Sequence, residues 1–157
     1  MNHLQIYQIL KQRFLEDIQE IHSDHTGDPY VIVNPEALVN VCTYLRDDPE
    51  TAFDLLICVS GVDDRQTLWV VYHLYSTLKN HRAVLKVKAD KSDPWVPTVT
   101  SVWPGANWFE REVYDLFGIN FRGHPDLRRI LLPDDWEGWP LRKDYRFPDT
   151  YQDVPLT

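Results

Sequence analysis

Leu4, Tyr7, Leu10, Phe14, Ile18 and Ile21 recur at three- and four-residue steps, which predicts an amphipathic helix over residues 3–21. A polar turn region follows from His22 to Pro29, and the β-branched run Tyr30-Val31-Ile32-Val33 predicts a short strand. Asn34-Pro35-Glu36 reads as a helix start, with Asn at the N-cap and Pro at the first helical position. That helix is expected to run to about Arg46, with Leu38, Val41, Cys42 and Leu45 inward.

Beyond it the period changes from that of a helix to that of a strand. Phe53 to Val62 and Thr67 to Ser76 read as two strands joined by the hairpin loop Asp63-Asp64-Arg65-Gln66. The second strand has apolar residues on both faces, so it is expected to lie inside the sheet. From His81 to Ala89 the alternation is cleaner: Ala83, Leu85, Val87 and Ala89 share one face, while Arg82, Lys86 and Lys88 wet the other. After a break at Pro94–Pro97, Val99 to Val102 is read as an edge strand. The predicted fold class is α+β: a two-layer sandwich of two helices on a mixed, largely antiparallel sheet of four to five strands. The sandwich domain is placed at residues 1–104. A second part, 105–157, is expected to hold a charged helix at 108–117, stopped by Gly118, and an extended proline-rich C-terminal arm.

Composition sharpens the second part. Eight of the eleven prolines lie between Pro94 and Pro155, and five of the six tryptophans between Trp95 and Trp139. Such a segment is too broken for long helices and too aromatic for a solvated tail. The net charge of −8 argues against nonspecific nucleic-acid binding, which needs clustered cations. Cys42 and Cys58 sit in apolar stretches and are read as buried, reduced thiols. No signal peptide is visible at Met1-Asn2-His3-Leu4-Gln5, and no apolar run is long enough to span a membrane.

On the helix at 108–117, Phe109, Val113, Leu116 and Phe117 form one stripe, with Trp108, Arg111, Glu112 and Asp115 on the opposite arc. The bland reading of that arc is a solvated charged face on which Arg111 and Asp115 can pair across one turn. Glu110 does not fit it. It falls within about 20° of Phe117 on the wheel, and a carboxylate among apolar neighbours needs a partner or a shifted pKa. Arg128, Arg129 and Arg142 are planar forks suited to pairing with Glu110, Glu112 or another chain's carboxylates. Trp136 and Trp139 bracket Glu137-Gly138, and Lys143 follows Arg142; aromatics with arginine are enriched at interface hot spots.

Catalytic readings are weaker. Glu110 and Glu112 point about 160° apart, a poor acid–base pair. His22 and His25 have the spacing of metal ligands on one turn but lack a third ligand, so they read as surface histidines. His124, before Pro125, is read first as orienting a turn, then as touching a partner, and last as doing proton chemistry. There is no cysteine cluster, dinucleotide turn or phosphate loop.

The run Glu110-Arg111-Glu112, Asp115-Leu116-Phe117, His124, Arg128 and Ile130-Leu131, continued by Trp136-Glu137-Gly138-Trp139-Pro140-Leu141-Arg142-Lys143-Asp144-Tyr145, resembles the signature of the C subunit of NADH-quinone oxidoreductase. That family is the small hydrophilic subunit of the peripheral arm of respiratory complex I. The resemblance implies a structural subunit of a membrane-bound, proton-translocating NADH:quinone oxidoreductase, without activity of its own. Its implied partners are the quinone-site subunit, which is related to the hydrogenase large subunit, and the adjacent iron–sulfur subunit. This chain would bind no cofactor, while the complex would carry NADH, FMN, iron–sulfur clusters and quinone. The implied location is the cytoplasmic face of the bacterial inner membrane, or its organellar equivalent. Rival expectations are the equivalent subunit of a ferredoxin-dependent quinone oxidoreductase or a membrane-bound nickel–iron hydrogenase, and, more distantly, a freestanding small enzyme.

Overall fold

The computed structural model describes residues 1–22 and 27–156. The expected surface pair His22 and His25, and most of the polar turn around them, lie outside the described side chains.

Helix α1 runs from His3–Phe14, opened by a capping box in which Asn2 and Gln5 each accept the other's backbone N–H. It is shorter than expected. A 3₁₀ turn at Leu15–Asp17 leads into strand β1, Ile18–His22. The step from Phe14 to Ile18 imitates one helical turn, but Ile18 and Ile21 instead pair with Val33 and Val31 of β2, Tyr30–Val33. Sheet pairing buries Ile18 completely, and the Lys11 ammonium donates to its carbonyl at 2.7 Å.

A 3₁₀ turn at Pro35–Ala37 then opens α2, Leu38–Asp47, whose Leu38, Val41, Cys42 and Leu45 are all buried. The Asn34 side chain makes no cap. It bonds Gln19, Asp17 and the Glu16 carbonyl, tying this start to the turn before β1.

Strands β3 (Leu55–Asp63), β4 (Leu68–Ser76) and β5 (His81–Ala89) complete a five-stranded sheet of order β1-β2-β5-β4-β3, with β2–β5 its one parallel pair among the described residues. β4 is flanked on both sides, as its two apolar faces require. Leu68, Val70, Tyr72 and Leu74 face the helices and are fully buried.

Val99–Val102 is not a strand. Val99 and Val102 are buried in a turn, in which the Val99 carbonyl accepts from Val102 and Trp103 and the Arg46 guanidinium donates to the Val102 carbonyl at 2.9 Å. The strand lies inside the proline break instead: β6, Trp95–Pro97, pairs parallel with β7, Asn120–Arg122. Pro97, which lacks an N–H, is tolerated there because β6 is short and at an edge. Between them runs α3, Ala106–Phe117, ended by Gly118 at φ 68°, ψ 29°. No packing boundary falls at residue 104, because Ala106, Val113, Phe117, Ile119 and Phe121 join the same core as the sheet. The chain closes with a two-residue ladder, β8 (Thr150–Tyr151) with β9 (Val154–Pro155).

Candidate functional site: an arm pinned to its own helix

α3 carries three buried ionisable side chains, Glu110, Arg111 and Asp115, where its sequence suggested one. Of the arc read as solvated, Arg111 and Asp115 are covered by the chain's own arm, while Trp108 and Glu112 stay exposed. Arg111 and Asp115 do not pair with each other. The Arg111 guanidinium donates to the carbonyls of Arg128 and Arg129 at 3.2 and 3.1 Å. Asp115 is a hub for the arm. Its Oδ2 accepts the N–H groups of Ile130, Leu131 and Leu132 at 3.1, 2.7 and 2.9 Å, and its Oδ1 takes Arg129 at 2.8 Å. The Asp115 side chain has no exposed surface and that of Arg129 only 12%.

Burial alone would push the Asp115 carboxyl up. Arg129 and the three N–H donors outweigh it and hold the pKa below the usual carboxylate range. Arg129 also donates to the carbonyls of Trp136 and Gly138 at 2.7 and 3.1 Å, and its guanidinium lies 4.7 Å from the Trp139 ring centre. One aspartate and one arginine therefore fix residues 128–139 to α3 through side chain and backbone together. The arm continues along the helix end: Leu141 N–H donates to the Leu116 carbonyl and Arg142 Nε to that of Phe117. Lys143 N–H reaches Asp63 Oδ2 at 2.8 Å.

Glu110 finds no arginine. Arg129 takes Asp115, Arg128 takes exposed Asp126, and Arg142 takes a carbonyl. Glu110 instead accepts the Val99 N–H at 2.8 Å and the Thr98 hydroxyl, with zero side-chain exposure. Burial raises its pKa to about 7, which these two donors only partly counter. His124 Nε2 sits 3.9 Å from Glu110 Oε2 and 3.2 Å from the Asn107 carbonyl, while its Nδ1 accepts the Asp126 N–H. These contacts hold the turn at Pro125.

Trp139 lies over Gly118: a Cβ there would come within 2.4 Å of the indole. Trp136 donates to the Tyr145 hydroxyl at 3.0 Å and packs edge-on to Phe147. Cys42 is buried as expected, but Cys58 is only half-buried, its Sγ 3.4 Å from His73 Nδ1. Asp63 escaped sequence reading because it stood in a hairpin loop. Its side chain is fully buried and pairs with Lys91 at 3.1 Å, besides accepting from Lys143 and Arg65. The available signal was an aspartate placed to accept the N–H two residues on. Among the described residues no three His, Cys, Asp or Glu side chains gather as a metal site, and no helix is long and apolar enough to cross a membrane.

Fold and site together define a class: a small α+β sandwich whose final third is an extended strap, locked to its own last helix by buried charge. Comparison with known proteins is specific. Residues 31–151 match the family model described as respiratory-chain NADH dehydrogenase, 30 Kd subunit. The C subunit of NADH-quinone oxidoreductase from Chlorobium phaeobacteroides is 38% identical over 98% of this chain and 94% of its own. That of Roseiflexus sp. is 52% identical over 78% of this chain and 72% of its own. Among solved structures, a trypsin-resistant fragment of Nqo5 superposes with TM-score 0.65 and 31% identity, covering 76% of this chain and 97% of the fragment. A chain of an archaeal membrane-bound sulfane sulfur reductase superposes with TM-score 0.70 and 26% identity, covering 91% of this chain and 84% of that one. The chain belongs to the 30 Kd, or C-subunit, family of the respiratory-chain NADH dehydrogenase, complex I.

Proposed function

We propose that this chain is a structural subunit of a membrane-bound, proton-translocating NADH:quinone oxidoreductase. In this reading it stands on the cytoplasmic side and braces the quinone-site subunit and the neighbouring iron–sulfur subunit with its arm. Electron transfer and proton translocation belong to other chains. The observation that carries this reading is the arm's division of labour. Polar groups of residues 128–143 are spent inward on α3 and Asp63, while Leu131 and Leu141 remain more than half exposed. Apolar side chains held outward on a pinned backbone have lost their ordering entropy before docking, which favours a partner. A relative in Chromohalobacter salexigens is named for the C and D subunits together, and this chain covers only 25% of it, which supports a second subunit lying beside this one.

The test is a double substitution, Leu131→Glu with Leu141→Glu, which keeps the backbone N–H that Leu131 gives to Asp115. The isolated variant is expected to keep its thermal midpoint, yet fail to be recovered with the complex, whose quinone reduction falls. Full recovery and full activity would overturn the bracing role. The likeness to a chain of a sulfane sulfur reductase complex favours one alternative, the same brace in an assembly with a different electron acceptor. Identities of 38–52% to the C subunits of NADH-quinone oxidoreductases favour the first reading.

A further inference from the structure

The core cluster takes in the sheet face that carries Leu68, Val70, Tyr72 and Leu74, and the buried apolar residues of all three helices. The opposite face carries Ile32, Trp69, Val71, His73, Val84 and Lys86, and none of these joins that core. An outer face of an antiparallel sheet that meets only water is normally polar. This one holds a cleft of about 210 Å³ lined by Tyr30, Val62, Asp64, Trp69, Val71 and Lys86. Beside it, the edge strand β3 leaves Leu55, Ile57 and Val62 nearly half exposed.

Lys86 is the cation of this cleft. Its ammonium lies 3.5 Å from the Tyr30 ring centre, and no carboxylate among the described residues pairs with it. Burial lowers its pKa, and among the described residues the Tyr30 ring is the partner that faces its charge. The one acid in the cleft is committed elsewhere: Asp64 accepts Trp69 Nε1–H at 2.8 Å and the N–H groups of Thr67 and Gln66 at 2.6 and 3.0 Å. Arg82, further along β5, is taken by Asp28 at 3.0 Å, while Lys88 stands opposite Trp69. On this face Ile32, Val71 and Val84 are themselves buried, and a chain of net charge −8 sets among them a cationic, aromatic cleft whose lysine has no carboxylate partner among the described residues.

We infer that this outer face is a second docking surface, taken by a segment of a neighbouring subunit that sets a carboxylate against Lys86 and apolar side chains on Val62 and Ile57. This rests on the reading of the chain as a subunit of an assembly. A single carboxylate suits the cleft better than a phosphate, because Asp64 in its wall repels a second negative charge. Acid meeting an apolar-walled lysine is the complementarity that fixes register at interfaces.

The test compares the free chain with the intact complex. Acetylation of Lys86 by acetic anhydride is expected to slow by about tenfold or more in the complex. A carbodiimide is expected to condense the Lys86 amine with an Asp or Glu of another subunit, with loss of water, and peptide mass spectrometry locates the amide. Lys86→Glu, folded by circular dichroism as a free chain, is expected to be lost from the complex, while Lys86→Arg is retained. Equal acetylation of Lys86 in the free and assembled chain overturns the inference. So does protection without any cross-link to protein, the result a lipid or phosphate occupant would give. In either case the chain still co-isolates, whereas failure of the bracing role leaves Lys86 links intact and the arm variants fully assembled.

Discussion

Glu110 and Asp115 sit five residues apart on one helix, both with no exposed side-chain surface, yet their charges are set in opposite directions. Asp115 has a buried guanidinium and three N–H donors, so removing it strands Arg129. Asp115→Ala is expected to cost about 3–5 kcal/mol in chemical denaturation, the range for breaking one side of a buried pair. Asp126→Ala, which breaks a pair 65% and 55% exposed, is expected to cost less than about 1 kcal/mol. Equal losses would mean that Asp115 is not the hub.

Glu110 has two neutral donors and, among the described residues, no lysine or arginine partner. Its pKa is raised from 4.5 to about 7, so between those values the folded state holds the proton more tightly than the unfolded state. The stability this proton contributes is fully present below about pH 4.5 and is lost as pH rises through about 7. The loss is on the order of 3 kcal/mol. Glu110→Gln keeps an acceptor for Val99 N–H and an amide that can donate to Thr98. The variant is expected to match the wild type near pH 5 and exceed it near pH 8. Thermal midpoints of both proteins across that range check this; parallel profiles would show that Glu110 does not titrate there.

At the scale of elements, the end of α3 is where backbone conformation and packing coincide. Gly118 stops the helix at positive φ and leaves room for Trp139. Gly118→Ala therefore meets both a backbone penalty and the indole. It is expected to displace Trp139 and speed hydrogen exchange at the Leu141 amide, which bonds the Leu116 carbonyl. Unchanged exchange would mean that the arm is held without this seat. That glycine was legible from local signals, as were α2 and strands β3 to β5, whose residues obey one period each. Ile18 was misread because a four-residue step suits a helix, while its partner Val33 lies fifteen positions away and leaves no local mark. Val99 and Val102 were misread because buried valines imitate a strand when a turn also faces the core. Arg111 and Asp115 looked solvated for a related reason. A wheel shows which arc lies away from the sheet, but not that the chain returns thirteen residues later to cover it.

At the scale of the whole molecule, the sandwich and the strap are bound to each other unevenly, and proteolysis can read the gradient. Residues 128–143 are fixed by Asp115, Arg111 and Asp63, so trypsin meets a backbone there that must first be released. Arg146 lies beyond the last of those ties and is exposed. Within the final third of the free chain, the first cut is expected after Arg146, with Arg128 and Arg129 cleaved later and Arg111 last. Mass spectrometry of a time course orders the fragments. In Asp115→Ala the order is expected to invert, with cleavage at Arg128 and Arg129 overtaking Arg146, because the hub no longer holds residues 128–132. A wild-type chain cut first at Arg129 would show that the strap is only laid against α3. Residues beyond Arg146 are tied less deeply, through Tyr151 and Gln152 on the exposed Asp135 and through Phe147 and Tyr151 against Trp136.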